Sequence, residues 1–481
     1  MGDGMGRLWD FNKYGNSTAF ISEDGDSLSY SELAALEDRL SSFMKKRALT
    51  VMFCRNTFGG IAGYAALINN GYPLMAVSSR LPADMRNDIL NTYRPAFIFL
   101  PEDMCSDYPH MKRVESVFDY VILDSNYTEP FLVYDELGLL ITTSGSTGSV
   151  KFVRQSFNNI AFNSNAIADY LGLVPSDVSI TVLPMQYTYG ITMINTCLSI
   201  GACTAITKKS FMEEDFWDFF EEVKCTCFHG VPNTYEILYK LGLFEEDWEY
   251  LRIITQAGGK LGRQFHAYYA DYARKYKKRF IIMYGQSEAT AAISYLPSEM
   301  SSEKCGSVGK VIKNGRITLR DGDRIIDEPY TPGELCYEGG NVALGYASCG
   351  EDLAKGDEWK GFLRTGDTGE RDEDGFYYIT GRLKRFIKMS GYRISLDELD
   401  ERIMENLHIK SVSSGSDDHL VIFVTGEDEK EAVTKYLKQY YQTVYHGIRV
   451  ECIAEFPKND AGKVLFGKLK EAALKLWGTE A

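Results

Sequence analysis

The 481 residues lack any long uninterrupted apolar run. The most hydrophobic stretch, residues 59–77, is broken by Asn69-Asn70-Gly71-Tyr72-Pro73, which leaves it short of the roughly 20 apolar residues that a membrane span needs. The N-terminus, Met1-Gly2-Asp3-Gly4-Met5-Gly6, has no apolar core of the kind a secretory signal carries, and Gly6 stands where a myristoylation site needs Ser or Thr. Neither export nor a lipid anchor is expected, and the cytoplasm is the expected compartment. Positive charge is also short. With 52 Lys and Arg against 67 Asp and Glu, the formal charge of −15 repels phosphate backbones and anionic lipid, so no nucleic-acid partner is expected. Paired cysteines are missing too: the ten are scattered singly, as in a reduced protein, and only Cys225 and Cys227 lie close together. No His/Cys set has zinc-site spacing, so that pair, in an apolar stretch, reads as structural. There is no internal repeat and no low-complexity tract.

What is present is an ordinary globular composition, 44% hydrophobic and 25% charged, in a chain too long for one hydrophobic core. Ser29-Tyr30-Ser31-Glu32 has the form of a capping box, and the apolar spacing that follows predicts an amphipathic helix over about residues 30–46. Strand-length apolar runs follow at 51–54, 96–100, 139–142, 180–183, 251–255 and 280–284. Helical patterning lies between several of them, at 158–170, 215–223 and 264–276, which predicts an α/β fold of mostly parallel sheet. Three strands run into glycine-rich turns, at Thr142-Thr143-Ser144-Gly145, Gln256-Ala257-Gly258-Gly259 and Tyr284-Gly285-Gln286-Ser287-Glu288. Ligands bind beyond the carboxyl ends of strands in an open parallel sheet, so the three turns are expected to face one crevice. From about residue 300 to 380 the pattern becomes short runs separated by Gly, Pro and Asp, a β-rich subdomain; the last hundred or so residues read as a compact α+β unit.

The loop Ser144-Gly145-Ser146-Thr147-Gly148-Ser149-Val150-Lys151 combines glycines, which free backbone N–H groups, with hydroxyl donors and a closing lysine. That is what a polyphosphate cradle requires. It is not a Walker A loop, because the Gly-Lys-Ser/Thr ending is absent. Together with Tyr284-Gly285-Gln286-Ser287-Glu288, Thr365-Gly366-Asp367, Gly381-Arg382 and Gly462-Lys463, in this order, the chain resembles the adenylate-forming superfamily of acyl-CoA synthetases, peptide-synthetase adenylation domains and firefly luciferase.

That resemblance implies two half-reactions: a carboxylate attacks the α-phosphate of Mg-ATP to give an acyl-adenylate, and a thiol, of coenzyme A or of a carrier's phosphopantetheine, then takes the acyl group. By the same resemblance, Thr143, Ser144, Gly145, Ser146, Thr147, Gly148, Lys151, Gly258, Gly259, Tyr284, Gly285, Gln286, Asp367 and Arg382 hold the nucleotide, with Asp367 on the ribose hydroxyls. Ser287 and Glu288 are expected catalytic residues, and Glu288 is the expected magnesium ligand, since a hard carboxylate plus waters suits that ion. Lys463 is the expected catalytic lysine, bridging substrate carboxylate and α-phosphate. The family pattern divides the chain into an AMP-binding body at 1–380, a hinge at 381–384 about Lys384, and a mobile cap at 385–481, with Gly391 and Tyr392 facing the thiol tunnel.

Tyr187, Tyr189, His229, Gly230 and Gly258 are the expected walls of the acyl pocket. Tyr187 replaces the histidine common in acyl-CoA synthetases, Val150 stands for the usual proline, and Ser287 for the usual threonine. No acidic residue occurs from Pro184 to Cys197, so an α-amino acid, whose buried ammonium would need a partner, is disfavoured. A small carboxylic acid remains the expected substrate, the tyrosines and His229 being able to donate to a polar acyl chain. A separate acyl carrier protein is the alternative acceptor to coenzyme A, the chain having no carrier segment of its own.

Overall fold

The computed structural model describes residues 7–44, 47–142, 151–383, 385–389, 392–440, 445–459, 462 and 464–478. The chain divides into two compact units, one of residues 1–316 and 338–363 and the other of 317–337 and 364–481.

Among the described residues, the first unit carries two large sheets. One has nine strands in the spatial order Lys310–Val311, Ala292–Leu296, Arg279–Gly285, Ile253–Gln256, Cys227–Gly230, Val178–Ile180, Cys203–Ile206, Thr18–Ser22 and Ser27–Ser29. The other has eight, in the order Gly345–Ala347, Phe152–Ser156, Leu137–Thr142, Leu74–Ser78, Thr50–Cys54, Phe97–Pro101, Tyr120–Asp124 and Lys112–Val117. The strands at their centres pair in parallel. They read as unbroken apolar runs because both faces are covered: every residue of Thr50–Cys54 is buried. The crossover helix Phe58–Asn69 that leads to the neighbouring strand is buried on all sides. It sits so close to the sheet that a Cβ on Gly63 would stand 2.2 Å from the Phe99 ring. Each large apolar side chain removed from water here contributes about 1.5–3 kcal/mol.

The predicted helix near residue 30 is present as Tyr30–Phe43, with the Ser29–Glu32 capping box formed in both directions. One expectation changes. The strand before the Ser/Gly loop, Leu137–Thr142, belongs to the eight-stranded sheet, whereas the strands leading to the other two glycine turns belong to the nine-stranded one. Moreover, Leu137–Thr142 pairs antiparallel with Phe152–Ser156, ending on the pair Thr142 and Phe152. The two strands that flank the Ser/Gly segment are therefore antiparallel neighbours, not members of a single parallel sheet.

In the second unit the expected β-rich segment forms a five-stranded sheet, ordered Arg324–Ile326, Arg316–Asp321, Gly333–Glu338, Phe362–Arg371, Tyr377–Arg382. The final α+β portion contains helices Leu396–Leu407, Glu427–Tyr440 and Phe466–Trp477 around a three-stranded sheet of Val412–Ser416, His419–Val424 and Ile448–Cys452. Its start is pinned by Arg385, which reaches Asp397 at 2.6 Å and Asp400 at 3.0 Å and lies 3.9 Å over the Phe466 ring. No helix among the described residues is long and apolar enough to cross a membrane.

Candidate active site

Strand Arg279–Gly285 ends in Tyr284 and Gly285, and one 3-10 turn, Ser287–Ala289, follows. Gly285 is required, since a Cβ there would stand 1.6 Å from the Ala291 carbonyl oxygen. Thr290 sits in the left-handed region at φ 57, a strain of about 1–3 kcal/mol. Its hydroxyl offsets part of that by donating to the Asn341 carbonyl at 2.8 Å. Asn341, with no exposed surface, in turn donates to the carbonyls of Ala289 at 2.8 Å and Ala292 at 2.7 Å. The Gln155 amide donates to the Ser287 carbonyl at 3.1 Å, and the Ala343 N–H to the Glu288 carbonyl at 2.9 Å. The Ser287 hydroxyl lies 2.6 Å from that of Thr188, at the start of helix Thr188–Ile200. A turn braced from this many directions presents its carboxylate from a fixed backbone.

The Glu288 carboxylate is half-buried, and its Oε1 accepts a hydrogen bond from the Tyr346 hydroxyl at 2.8 Å. The Lys151 ammonium lies over the same tyrosine ring, 3.4 Å from its centroid, so opposite charges meet on one side chain. Burial, and then the adjacent Glu288 carboxylate, push the Tyr346 hydroxyl well above its ordinary range, which keeps it protonated and donating. Tyr346 is fixed by the edge of Trp359, 4.9 Å away at 87°, and by strand pairing with Val153. Behind it, the fully buried Arg154 donates to the carbonyls of Tyr346 at 3.1 Å and Leu344 at 3.3 Å, and pairs with Glu358. Thus Lys151, just before strand Phe152–Ser156 of one sheet, and Glu288, just after a strand of the other, meet at Tyr346.

Of the expected acyl-pocket residues, His229 and Gly230 lie on strand Cys227–Gly230, Gly258 follows strand Ile253–Gln256, and Tyr187 and Tyr189 stand at the start of a helix. Tyr187 is half-buried at the start of helix Thr188–Ile200. The Tyr189 hydroxyl is 2.6 Å from that of Thr255, and Thr255 is 2.6 Å from Nδ1 of His229, whose Nε2 is 2.8 Å from the Ser179 hydroxyl. His229 is buried, and burial pulls its pKa from 6.5 to about 3. With both ring nitrogens engaged by hydroxyls, it has none left to donate to an acyl chain, contrary to the expectation from sequence. Gly230 packs against Tyr235 and Thr234. Gly258, at φ 85, and Gly259 pack on Val231 and Pro232, and Gln256 donates to the Gly259 carbonyl at 2.9 Å.

In the second unit, Asp367 and Arg382 are cross-strand partners, with Nε of Arg382 3.0 Å from the carboxylate. Asp367 is nearly buried, and its backbone N–H donates to the Thr365 hydroxyl at 3.1 Å. Gly366, inside strand Phe362–Arg371, precedes it at φ 73. The pair combines a forked donor and an acceptor-only carboxylate at one edge of the five-stranded sheet.

A family model described as AMP-binding enzyme matches residues 9–347. The chain belongs to this family. Among curated relatives of this AMP-binding protein, the oxalate–CoA ligase of Arabidopsis thaliana is 30% identical over 272 residues, covering 55% of this chain and 52% of the relative. The 2-succinylbenzoate–CoA ligase of Bacillus pumilus (strain SAFR-032) is 25% identical over 408 residues, 80% of this chain and 79% of the relative. The match thus spans about half the length of the first and most of the second. Among solved structures, an o-succinylbenzoate CoA synthetase from Bacillus subtilis in complex with its acyl-adenylate intermediate shares the fold, with a TM-score of 0.78 at 21% identity over 97% of this chain and 98% of that one.

Of the residues expected from the AMP-binding pattern, Thr143, Ser144, Gly145, Ser146, Thr147, Gly148, Lys384, Gly391 and Lys463 lie outside the described residues, and Tyr392 is described only as the first residue of strand Tyr392–Ser395. Tyr346, Asn341 and Arg154 are the residues that reading missed. Glu288 and Tyr346 lie 58 positions apart, and no spacing signal in the sequence joins them.

Proposed function

We propose that this chain is an AMP-forming acid–thiol ligase that converts a carboxylic acid to its acyl-adenylate at the expense of ATP and then passes the acyl group to coenzyme A. The observation that carries this is the meeting of Lys151 and Glu288 at Tyr346, a cation to face phosphate and a hard anion to face a metal, in a chain of the AMP-binding family. The CoA-ligase names of the relatives support the thiol step.

Magnesium fits the donor set. Oε1 of Glu288 carries the tyrosine hydrogen bond, while Oε2 has no partner among the described residues and so is open to a cation completed by waters and phosphate oxygens. When bound, the ion neutralises phosphate charge. The protein's own part is positional: Lys151 faces the polyphosphate as a point charge, Asp367 accepts from the ribose hydroxyls, and Arg382 holds Asp367 in register. Lys463 draws substrate carboxylate and α-phosphate together and offsets the charge built up as the new bond forms. The second half-reaction follows rotation of the cap at 385–481 about Lys384, which brings Gly391 and Tyr392 to the thiol path. Tyr187, Tyr189 and Gly258 wall the acyl chain. Ten free cysteines support work in the reducing cytoplasm.

The test is ATP–pyrophosphate exchange with a panel of acids that includes oxalate, 2-succinylbenzoate and a long-chain fatty acid, followed by transfer to coenzyme A or to a holo-carrier protein. Exchange with at least one acid, and thioester formation with coenzyme A, are expected. Lys463→Ala should abolish exchange yet spare thiolation of a supplied acyl-adenylate. Exchange with no acid, or Lys463→Ala behaving as wild type, would overturn the reading.

A further inference from the structure

We propose that Tyr346 is a positioning residue that sets the metal-binding carboxylate and the phosphate-facing ammonium of this site before nucleotide arrives. The inference rests on the function proposed above. Its basis is that one side chain serves two groups of opposite charge: its hydroxyl donates to Oε1 of Glu288 at 2.8 Å and its ring face holds the Lys151 ammonium at 3.4 Å. Lysine and glutamate on converging loops would otherwise be free to form a direct ion pair, which incoming nucleotide would have to break. With the ammonium on the ring face and the carboxylate at the hydroxyl, each is oriented while the second carboxylate oxygen stays open. A tyrosine can do this only if it is itself immobile. Trp359 blocks one side of the ring, the backbone of Tyr346 is paired to Val153, and Arg154 holds the carbonyls of Leu344 and Tyr346 from inside the protein. Gly345 is part of this arrangement: at φ 137 it brings the chain within 2.8 Å of the Arg154 guanidinium, measured from where a Cβ would be.

The two contacts can be separated by substitution. Tyr346→Phe keeps the ring under Lys151 and loses the hydroxyl; Tyr346→Leu loses both. The experiment is isothermal calorimetry of the full chain with ATP in excess Mg²⁺ and with ATP in EDTA, beside thermal melts of each ligand-free variant. Tyr346→Phe is expected to weaken Mg-ATP about ten- to a hundredfold, the worth of a hydrogen bond to a charged group, and to leave metal-free ATP unchanged. Tyr346→Leu is expected to weaken both forms. Equal binding by wild type and Tyr346→Phe in Mg²⁺, or an equal loss in Mg²⁺ and in EDTA accompanied by a lower melting temperature, would overturn the proposal, the latter by showing a merely structural role. If the wild-type chain binds no Mg-ATP at all, the ligase reading falls first and the positioning role with it.

Discussion

His229 shows how far one residue's surroundings change its chemistry. By type it is a donor near neutral pH; in place it is a buried neutral ring between two hydroxyls, with its pKa drawn down to about 3. A base whose folded pKa is depressed contributes stability that is complete above its unfolded value of 6.5 and is lost as pH falls toward 3. Wild type should therefore lose unfolding free energy relative to His229→Gln by up to about 1.4 kcal/mol per pH unit below that value, read from urea midpoints at neutral and acidic pH. The pH–rate profile should show no inflection from this histidine near neutrality. Glu288 was legible in the sequence as a carboxylate placed after a strand and a hydroxyl. Tyr346 was not, because an aromatic after a glycine is the mark of many edge strands and its partners come from other elements.

Elements were legible where periodicity was clean. Helix Phe466–Trp477 and the buried parallel strands follow their apolar spacing, since burial on one face or on both leaves a regular trace. Of the strands absent from that reading, two share one physical reason. Phe152–Ser156 and Val412–Ser416 place polar residues in the interior, where Arg154 is satisfied by carbonyls and Glu358, and Ser413 by Asp400, so hydropathy does not reveal them. The turn of Glu288 raises the same point. Asn341 is a buried polar residue whose amide donates to two carbonyls of this segment. Asn341→Leu should take the amide's hydrogen bonds from those carbonyls while the Thr290 hydroxyl keeps the backbone carbonyl of residue 341, lowering stability by about 1–3 kcal/mol in denaturant melts and loosening Glu288 enough to reduce exchange with any accepted acid. Unchanged stability together with full exchange would show that the turn holds its shape without this bracing.

At the scale of the whole molecule, the family resemblance places a division into body and cap at residues 381–384, and nothing in the sequence marks where the backbone leaves and re-enters the first compact unit. The first unit is discontinuous: residues 338–363 return to it after 317–337 have entered the second. Those 26 residues, 338 through 363, bring Asn341 to the turn Ser287–Ala289 and Tyr346 to Glu288, and they supply the partners of the buried Arg154. A chain ended at residue 316 should therefore fail to give a cooperative melt. A chain ended at residue 383, which keeps all strands of the five-stranded sheet, should melt cooperatively. Circular dichroism compares the two; equal behaviour would mean that the returning segment adds little.

The return of 338–363 also bears on how the protein is made. A ribosome delivers the chain from its first residue onward, and domains generally fold in that order. Here the large body cannot finish when residue 316 emerges, because the edge strand Gly345–Ala347 and the carbonyls that receive Arg154 have yet to be synthesised. During that interval a buried arginine has no partners and the eight-stranded sheet has an open edge at Phe152–Ser156. The nascent protein therefore passes through a stage that is charged in its core and exposed along a strand, a stage that chaperones would be expected to attend and that slow translation of 317–363 would prolong.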